Sequence, residues 1–125
     1  MDDSELNELL GRYNAAWNDQ DLDAIIAMHT PDMVFHNHTA GESVEGTDAV
    51  REHIAGIFSS YPDLRFEGTA LKIGPDFASN EWIARCTLKD GRRAEWDGVD
   101  IFTVSDGHIA RKDVYSGSAT PRIAS

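Results

Sequence analysis

The chain has 125 residues, with 11 Lys and Arg against 22 Asp and Glu and a formal net charge of −11, a field that repels phosphate backbones and anionic lipid and so sets aside nucleic acid and membrane as partners. With 41% hydrophobic and 26% charged residues the composition is that of an ordinary globular protein, and the length suits one domain over residues 1–125 with one core and no separate cofactor domain. Cys86 is the only cysteine, which excludes an intrachain disulfide; a non-basic start (Met1-Asp2-Asp3-Ser4-Glu5) and no apolar run near the roughly 18 residues of a membrane span complete the expectation of a soluble, cytoplasmic protein.

From Ser4 to Asn18, Leu6, Leu9, Leu10, Tyr13 and Trp17 recur at helical spacing, with Asp2 or Ser4 placed to cap the free N–H groups. Asp21 opens a second short helix, Leu22 to His29, apolar at Ile25, Ile26 and Met28 and closed by Pro31. Val34 and Phe35 start a strand that runs into His36-Asn37-His38. After a loop from Gly41 to Gly46, Thr47 stands as the N-cap of a third helix carrying Val50, Ile54, Ile57 and Phe58, ended by Tyr61-Pro62-Asp63.

The second half reads as strands: Leu64 to Ile73, Glu81 to Lys89, Arg92 to Ser105 and His108 to Ser116, split by Pro75, Asp90-Gly91 and Asp106-Gly107. The two Asp-Gly pairs are hairpin signals, because a two-residue type I′ turn requires positive φ at both central positions. Helices followed by strands give an α+β class, three N-terminal helices packed on a curved antiparallel sheet. The tail from Gly117 to Ser125 is small and polar and reads as loose.

If the Asp106-Gly107 hairpin is symmetric, paired positions sum to 213. Asp100 then faces Asp113 and Gly98 faces Tyr115, with Trp96 and Phe102 on the same side. The equivalent count around Asp90-Gly91 sets Arg85 opposite Trp96. Two acids and an arginine on an apolar face suit proton transfer on a small organic molecule, since desolvation and like charge both raise a carboxyl pKa. A structural ion-pair network on a solvated face is the other reading of the same residues, and a single bulge would reverse every later side chain.

The element order, with Arg12-Tyr13 through Trp17-Asn18 to Asp21-Leu22-Asp23, Gly46-Thr47-Asp48-Ala49-Val50, Tyr61-Pro62-Asp63-Leu64-Arg65 and Gly98-Val99-Asp100-Ile101-Phe102 through Asp106-Gly107 to Ile109, resembles the NTF2-like superfamily, nearest its SnoaL-like and ketosteroid isomerase-like branch. The resemblance covers nearly the whole chain and implies a cone-shaped fold and a homodimer. It implies no single activity, because the superfamily includes isomerases, cyclases, dehydratases, epoxide hydrolases and noncatalytic binders. Tyr13 and Asp100 match the oxyanion-hole tyrosine and protonated aspartate of the isomerases. Asn37 falls where their general base would stand. Asp113 matches the last-strand aspartate of SnoaL-like cyclases and limonene epoxide hydrolases; Arg85 fits the arginine of the latter, while Thr87 replaces their second aspartate.

The resemblance therefore implies a cofactor-independent acid/base enzyme acting on a small, largely apolar carbonyl or polycyclic compound. Asp113 is expected as acid/base, Tyr13 and Asp100 as oxyanion donors, and His36, Asn37 or His38 as orienting groups. Trp17, Phe35, Phe58, Trp96, Arg85 and Tyr115 complete the expected binding residues. An epoxide hydrolase using Asp113 and Arg85, and a noncatalytic ligand-binding or dimerisation module, are the alternatives. His36-x-His38 is a weak metal signal, and no metal or other cofactor is expected. Trp82, Ala84, Leu88, Val99 and Ile101 are expected on an outer dimerising face, and Cys86 as a packed thiol. The chain lacks a G-x-S-x-G elbow, a P-loop, a dinucleotide fingerprint and a C-x-x-C pair.

Overall fold

In the computed structural model, which describes residues 1–118 and 120–124, three helices cover one face of a six-stranded sheet. Helix α1 (Asp3–Asn18) starts at a capping box: Glu5 N donates to Asp2 Oδ1 at 2.8 Å, and Asp2 N to Glu5 Oε1 at 3.3 Å. Its apolar stripe of Leu6, Leu9, Leu10, Tyr13 and Trp17 is buried as its spacing requires. Helix α2 (Leu22–Ala27) is capped by Asp21, which accepts from Ala24 N at 3.1 Å.

Strand β1 (His29–Asn37) begins earlier than the sequence suggests, ahead of Pro31. The proline fits because between His29 and Val34 the pairing to the neighbouring strand is interrupted, so its missing N–H breaks no regular ladder. A short strand β2 (Glu42–Glu45) forms where a loop was expected and pairs antiparallel with β1. Helix α3 (Thr47–Ser60) follows, its N-cap being Gly46 at φ +89° rather than Thr47. Two strands thus precede the third helix, where the sequence suggested one.

The strands β3 (Arg65–Ile73), β4 (Phe77–Thr87), β5 (Arg93–Ser105) and β6 (His108–Ser116) form an antiparallel meander, and the full order is β2-β1-β6-β5-β4-β3. The sheet is mixed, not wholly antiparallel: β1 runs parallel to β6. The described residues after β6 are held rather than loose. Glu95 N donates to Arg122 O at 2.7 Å, Ala124 N to Arg93 O at 2.9 Å, and Arg122 pairs with Asp97 at 3.0 Å, so the tail continues along β5 beyond the end of β6. Ala119 and Ser125, part of that tail, lie outside the described residues.

Both hairpins depart from the symmetric count by one residue. Around Asp90-Gly91 the loop has three residues: Gly91 N donates to Leu88 O at 2.9 Å, and Gly91 takes φ +86°. Arg85 consequently pairs with Glu95, and Trp96 with Ala84. At the other hairpin, Asp106 and Gly107 have φ of +51° and +76°, as a type I′ turn needs, and Val104 faces Ile109 as counted. One extra residue, Ala110, then separates the partners of Val104 and Thr103. Beyond this bulge Asp113 pairs with Ile101 and Asp100 with Val114, so the expected Asp100–Asp113 and Gly98–Tyr115 pairs do not form.

Trp82 and Ala84, expected on the outer face, are buried in the core, and Leu88 packs against it; Cys86 is fully buried as expected. Gly98 makes room for Trp82: a Cβ at that position would come within 2.5 Å of the indole ring. Among the described residues no helix is long and apolar enough to cross a membrane.

Candidate functional site

Between α1, α3 and the inner face of the sheet lies a cavity of about 450 Å³. Trp17 reaches it from α1, Phe35 and Asn37 from β1, His53 and Ile57 from α3, Phe66 from β3, Trp82 from β4, Trp96 and Asp100 from β5, and Lys112, Val114 and Ser116 from β6. Glu42 and Glu52 also line it, and both residues are exposed. The size suits a small organic ligand, and the walls combine aromatic rings with polar and charged side chains.

The polar groups at its buried end are Asp100 and Lys112. Their side chains are 10% and 6% exposed, and Lys112 Nζ lies 3.9 Å from Asp100 Oδ2, an ion-pair separation too long for a hydrogen bond. Four rings surround the ammonium, with centroids at 3.9 Å (Trp17), 4.9 Å (Phe35), 5.1 Å (Tyr13) and 5.8 Å (Phe102). Burial pushes the Asp100 carboxyl up; the Lys112 charge and the adjacent Trp82 indole N–H oppose that. Burial likewise pushes Lys112 down against the pull of Asp100. Moving one proton from lysine to aspartate discharges both groups, and burial favours that discharged state.

Tyr13 stands behind this pair and not on the cavity wall. Its hydroxyl is 2.9 Å from His29 Nε2, and burial raises its pKa far above the ordinary phenol value. Burial, with the Lys112 charge second, pushes His29 down to about 3, so the imidazole is neutral and the contact joins two uncharged groups. The expected pairing of Tyr13 with Asp100 toward a ligand oxygen is therefore not assembled at the cavity surface. Phe58 supports the wall from behind, edge-on to Trp17 at 5.3 Å between centroids.

The remaining expected site residues lie on the other side of the sheet. His36, His38, Arg111 and Asp113 form a half-buried cluster where β1 and β6 run side by side, with His36 opposite Asp113 and the exposed Tyr115 at its edge. His38 Nε2 is 2.7 Å from Asp113 Oδ1, and Arg111 Nε donates to Oδ2 at 2.9 Å and Oδ1 at 3.1 Å. His36 stacks on His38 at 3.6 Å, and Tyr115 on His38 at 4.3 Å. Burial raises the Asp113 carboxyl, but the hydrogen bonds from Arg111 and His38 outweigh it and hold the group below the ordinary carboxylate range. The ligand atoms of His36, His38 and Asp113 lie within 4.8 Å of one another; a metal bound there would have to displace the Arg111 guanidinium. Arg85, counted into the cavity by the symmetric hairpin, is on this outer face too, bonded to Glu95 at 2.9 Å and near Glu67 at 3.5 Å.

Of the residues expected from sequence, the structure brings together Trp17, Phe35, Asn37, Trp96 and Asp100 at the cavity. Lys112 is not among the residues expected from sequence, although it lines the cavity. The signal was present: Ile109 and Val114 are both apolar but of opposite parity in one strand, which alternation permits only if a residue between them is extra.

The profile of the SnoaL-like domain matches residues 10–112. The chain is 29% identical over 124 residues to part of the ECF RNA polymerase sigma factor SigJ of Mycobacterium tuberculosis (strain ATCC 25618 / H37Rv), an alignment covering 90% of this chain and 39% of that protein. The chain thus spans about two-fifths of the length of this curated relative. In fold it is similar to SalBIII, an epoxide hydrolase/cyclase-like enzyme of pyran ring formation in the polyether salinomycin, with TM-score 0.87 and 22% identity over 98% of each chain. A candidate SnoaL-like polyketide cyclase from Jannaschia sp. CCS1 superposes with TM-score 0.81 and 17% identity over 91% of this chain and 86% of its own.

Proposed function

Since the chain belongs to the SnoaL-like domain family, we propose that it is an enzyme moving protons on a small, largely apolar carbonyl or polycyclic compound held in the aromatic cavity. The observation that carries this reading is the Asp100–Lys112 pair, desolvated at the end of that cavity and joined by no hydrogen bond. A substrate carbonyl oxygen set beside Lys112 meets a positive charge as it gains electron density. Asp100, on the other side, accepts the adjacent C–H proton and returns it at another carbon or at oxygen. Asp113 has no part in this scheme: its carboxylate is committed to Arg111 and His38 on the opposite face. The epoxide hydrolase alternative needs Asp113 and Arg85 at the ligand and loses its support for the same reason.

The test follows α-proton exchange of the bicyclic ketone 2-decalone in heavy water by NMR. Asp100→Asn should slow the protein-catalysed exchange by about 10²-fold or more, the usual scale of a general base, and Asp113→Asn should leave it unchanged. Loss of exchange in Asp113→Asn with full rate in Asp100→Asn would reverse the assignment. Similarity to part of a sigma factor favours a second reading, a ligand-binding domain without turnover; there the ketone binds and exchange stays at the solvent rate.

A further inference from the structure

The cavity's end holds an amine in an unusual state of preparation, and we infer that Lys112 is a nucleophile that captures an aldehyde or ketone ligand as an imine. This inference rests on the acid/base reading above and deepens it, naming the carbonyl itself as the group the site engages.

Three features of the site support it. Lys112 comes from an inward position of β6 and reaches the cavity wall, yet its ammonium is held at ion-pair distance from Asp100 without the hydrogen bond that would fix the proton on nitrogen. Transfer of that proton to Asp100 frees the nitrogen lone pair and leaves a neutral acid beside it. Burial favours this discharged pair from both sides. The second feature is the ring of Trp17, Phe35, Tyr13 and Phe102 around Nζ. An iminium carries its charge at the same nitrogen as the ammonium, so the same rings stabilise the product. The third is a recess of about 20 Å³ behind the pair, lined by Asn14, Asn80, Asp100 and Lys112 among others, with room for about one water and polar groups to hold it.

The chemistry balances on these groups. The Lys112 lone pair forms a C–N bond to the carbonyl carbon while the C=O π electrons move to oxygen. Asp100 gives its proton to that oxygen and takes one from nitrogen, leaving a carbinolamine. Asp100 then protonates the hydroxyl, the C–O bond breaks, water departs toward the recess, and the nitrogen lone pair closes the C=N bond. The sum is neutral amine, carbonyl and protonated Asp100 to iminium, Asp100 carboxylate and water, with no change of oxidation state. The iminium withdraws electrons from the neighbouring C–H bond, so the Asp100 carboxylate left after dehydration is placed to remove that proton.

The experiment treats the whole chain with hexanal and sodium borohydride near pH 7 and locates the adduct by intact mass and peptide mapping. The chain has three lysines, Lys72, Lys89 and Lys112, besides the terminal amine of Met1. Lys112 should gain a single hexyl group at least about tenfold faster than Lys72 and Lys89, because burial weakens the hold of its nitrogen on the proton and an acid stands beside it. Lys112→Arg should lack this adduct, and Asp100→Asn should slow it while still binding hexanal, read by quenching of tryptophan fluorescence. Mapping on the unmodified sequence decides the matter even if a variant fails to fold. Adducts confined to Met1, Lys72 and Lys89 overturn the inference. If hexanal nevertheless quenches the fluorescence and ketone exchange still depends on Asp100, the imine falls and the acid/base reading stands; if hexanal neither binds nor reacts and no exchange occurs, both fall.

Discussion

Lys112 and Asp113 are neighbours in sequence, yet they belong to opposite kinds of site. On the outer face of β6, Asp113 has a guanidinium on both oxygens and an imidazole on one, with stacked rings beside it and solvent within reach. On the inner face, Lys112 and Asp100 are drier, wider apart and bonded to nothing that fixes their proton. The outer cluster has the fuller set of hydrogen bonds and therefore the smaller capacity to change. Charged residues that satisfy one another are structure, whereas charged residues left short of partners inside an aromatic cavity are poised for a ligand.

The sharpest way to break this comparison is to exchange the two residues that define it. Lys112→Asp with Asp113→Lys sets a second carboxylate beside Asp100 at the dry end of the cavity and a lysine against Arg111 on the outer face. The expected result is loss of the cooperative urea transition, because burying two like charges without a counter-charge costs an amount comparable to the net stability of about 5–15 kcal/mol of a domain. A native-like transition in the exchanged variant would mean that the two faces do not differ in this way.

The next effect concerns the inner pair alone. Lys112→Ala leaves a buried carboxyl without its counter-charge and should cost about 3–5 kcal/mol at neutral pH. Because burial raises the folded-state pKa of Asp100, that loss should recede as the pH falls and the acid protonates. Replacing both partners, Asp100→Leu with Lys112→Met, should restore the stability and abolish ketone exchange. Urea titrations at several pH values test the three stabilities, and NMR in heavy water tests the loss of exchange.

His29 gives a smaller, pH-bound effect. Its folded value of about 3 lies below the unfolded value of about 6.5, so between these the unfolded chain binds a proton that the folded chain excludes. Stability should therefore fall, by a few kcal/mol, as the pH drops from about 6.5 toward about 3. His29→Phe should flatten that slope in urea unfolding, and an unchanged slope would remove His29 as its source.

The smallest effect belongs to the outer face. Asp113→Asn should cost about 1 kcal/mol at neutral pH, as expected for a partly solvated pair. The folded pKa of Asp113 is depressed, so its contribution is present above the unfolded value near 4 and disappears as the pH falls through the lower folded one. A loss at neutral pH as large as that of Lys112→Ala would erase the distinction between the faces.

How much of this was legible depends on the range over which each signal acts. Local chemistry placed α1, with Asp2 one of two candidate caps, the I′ turn at Asp106-Gly107, the buried thiol of Cys86 and the α+β class, because capping, amphipathic spacing and turn geometry are properties of a few consecutive residues. Alternation along Phe35-His36-Asn37-His38 let only one of the two pairs face the cavity without choosing between them; in the structure Phe35 and Asn37 line it and the histidines bond on the other face. What the sequence did not decide was parity across the hairpins. One extra residue at Ala110 and one at the Asp90-Gly91 loop reversed the side chains beyond them, moving Arg85 and Asp113 out and Lys112 in. A one-residue slip costs little locally and is selected by burial over the whole sheet. The parallel pairing of β1 with β6 is likewise tertiary, since it joins segments about 75 residues apart through contacts that neither encodes by itself. The amino-acid sequence by itself determined which residues are acids, amines and rings and which helices and turns they sit in; packing of the complete sheet against the helices decided which of those charges would be left dry.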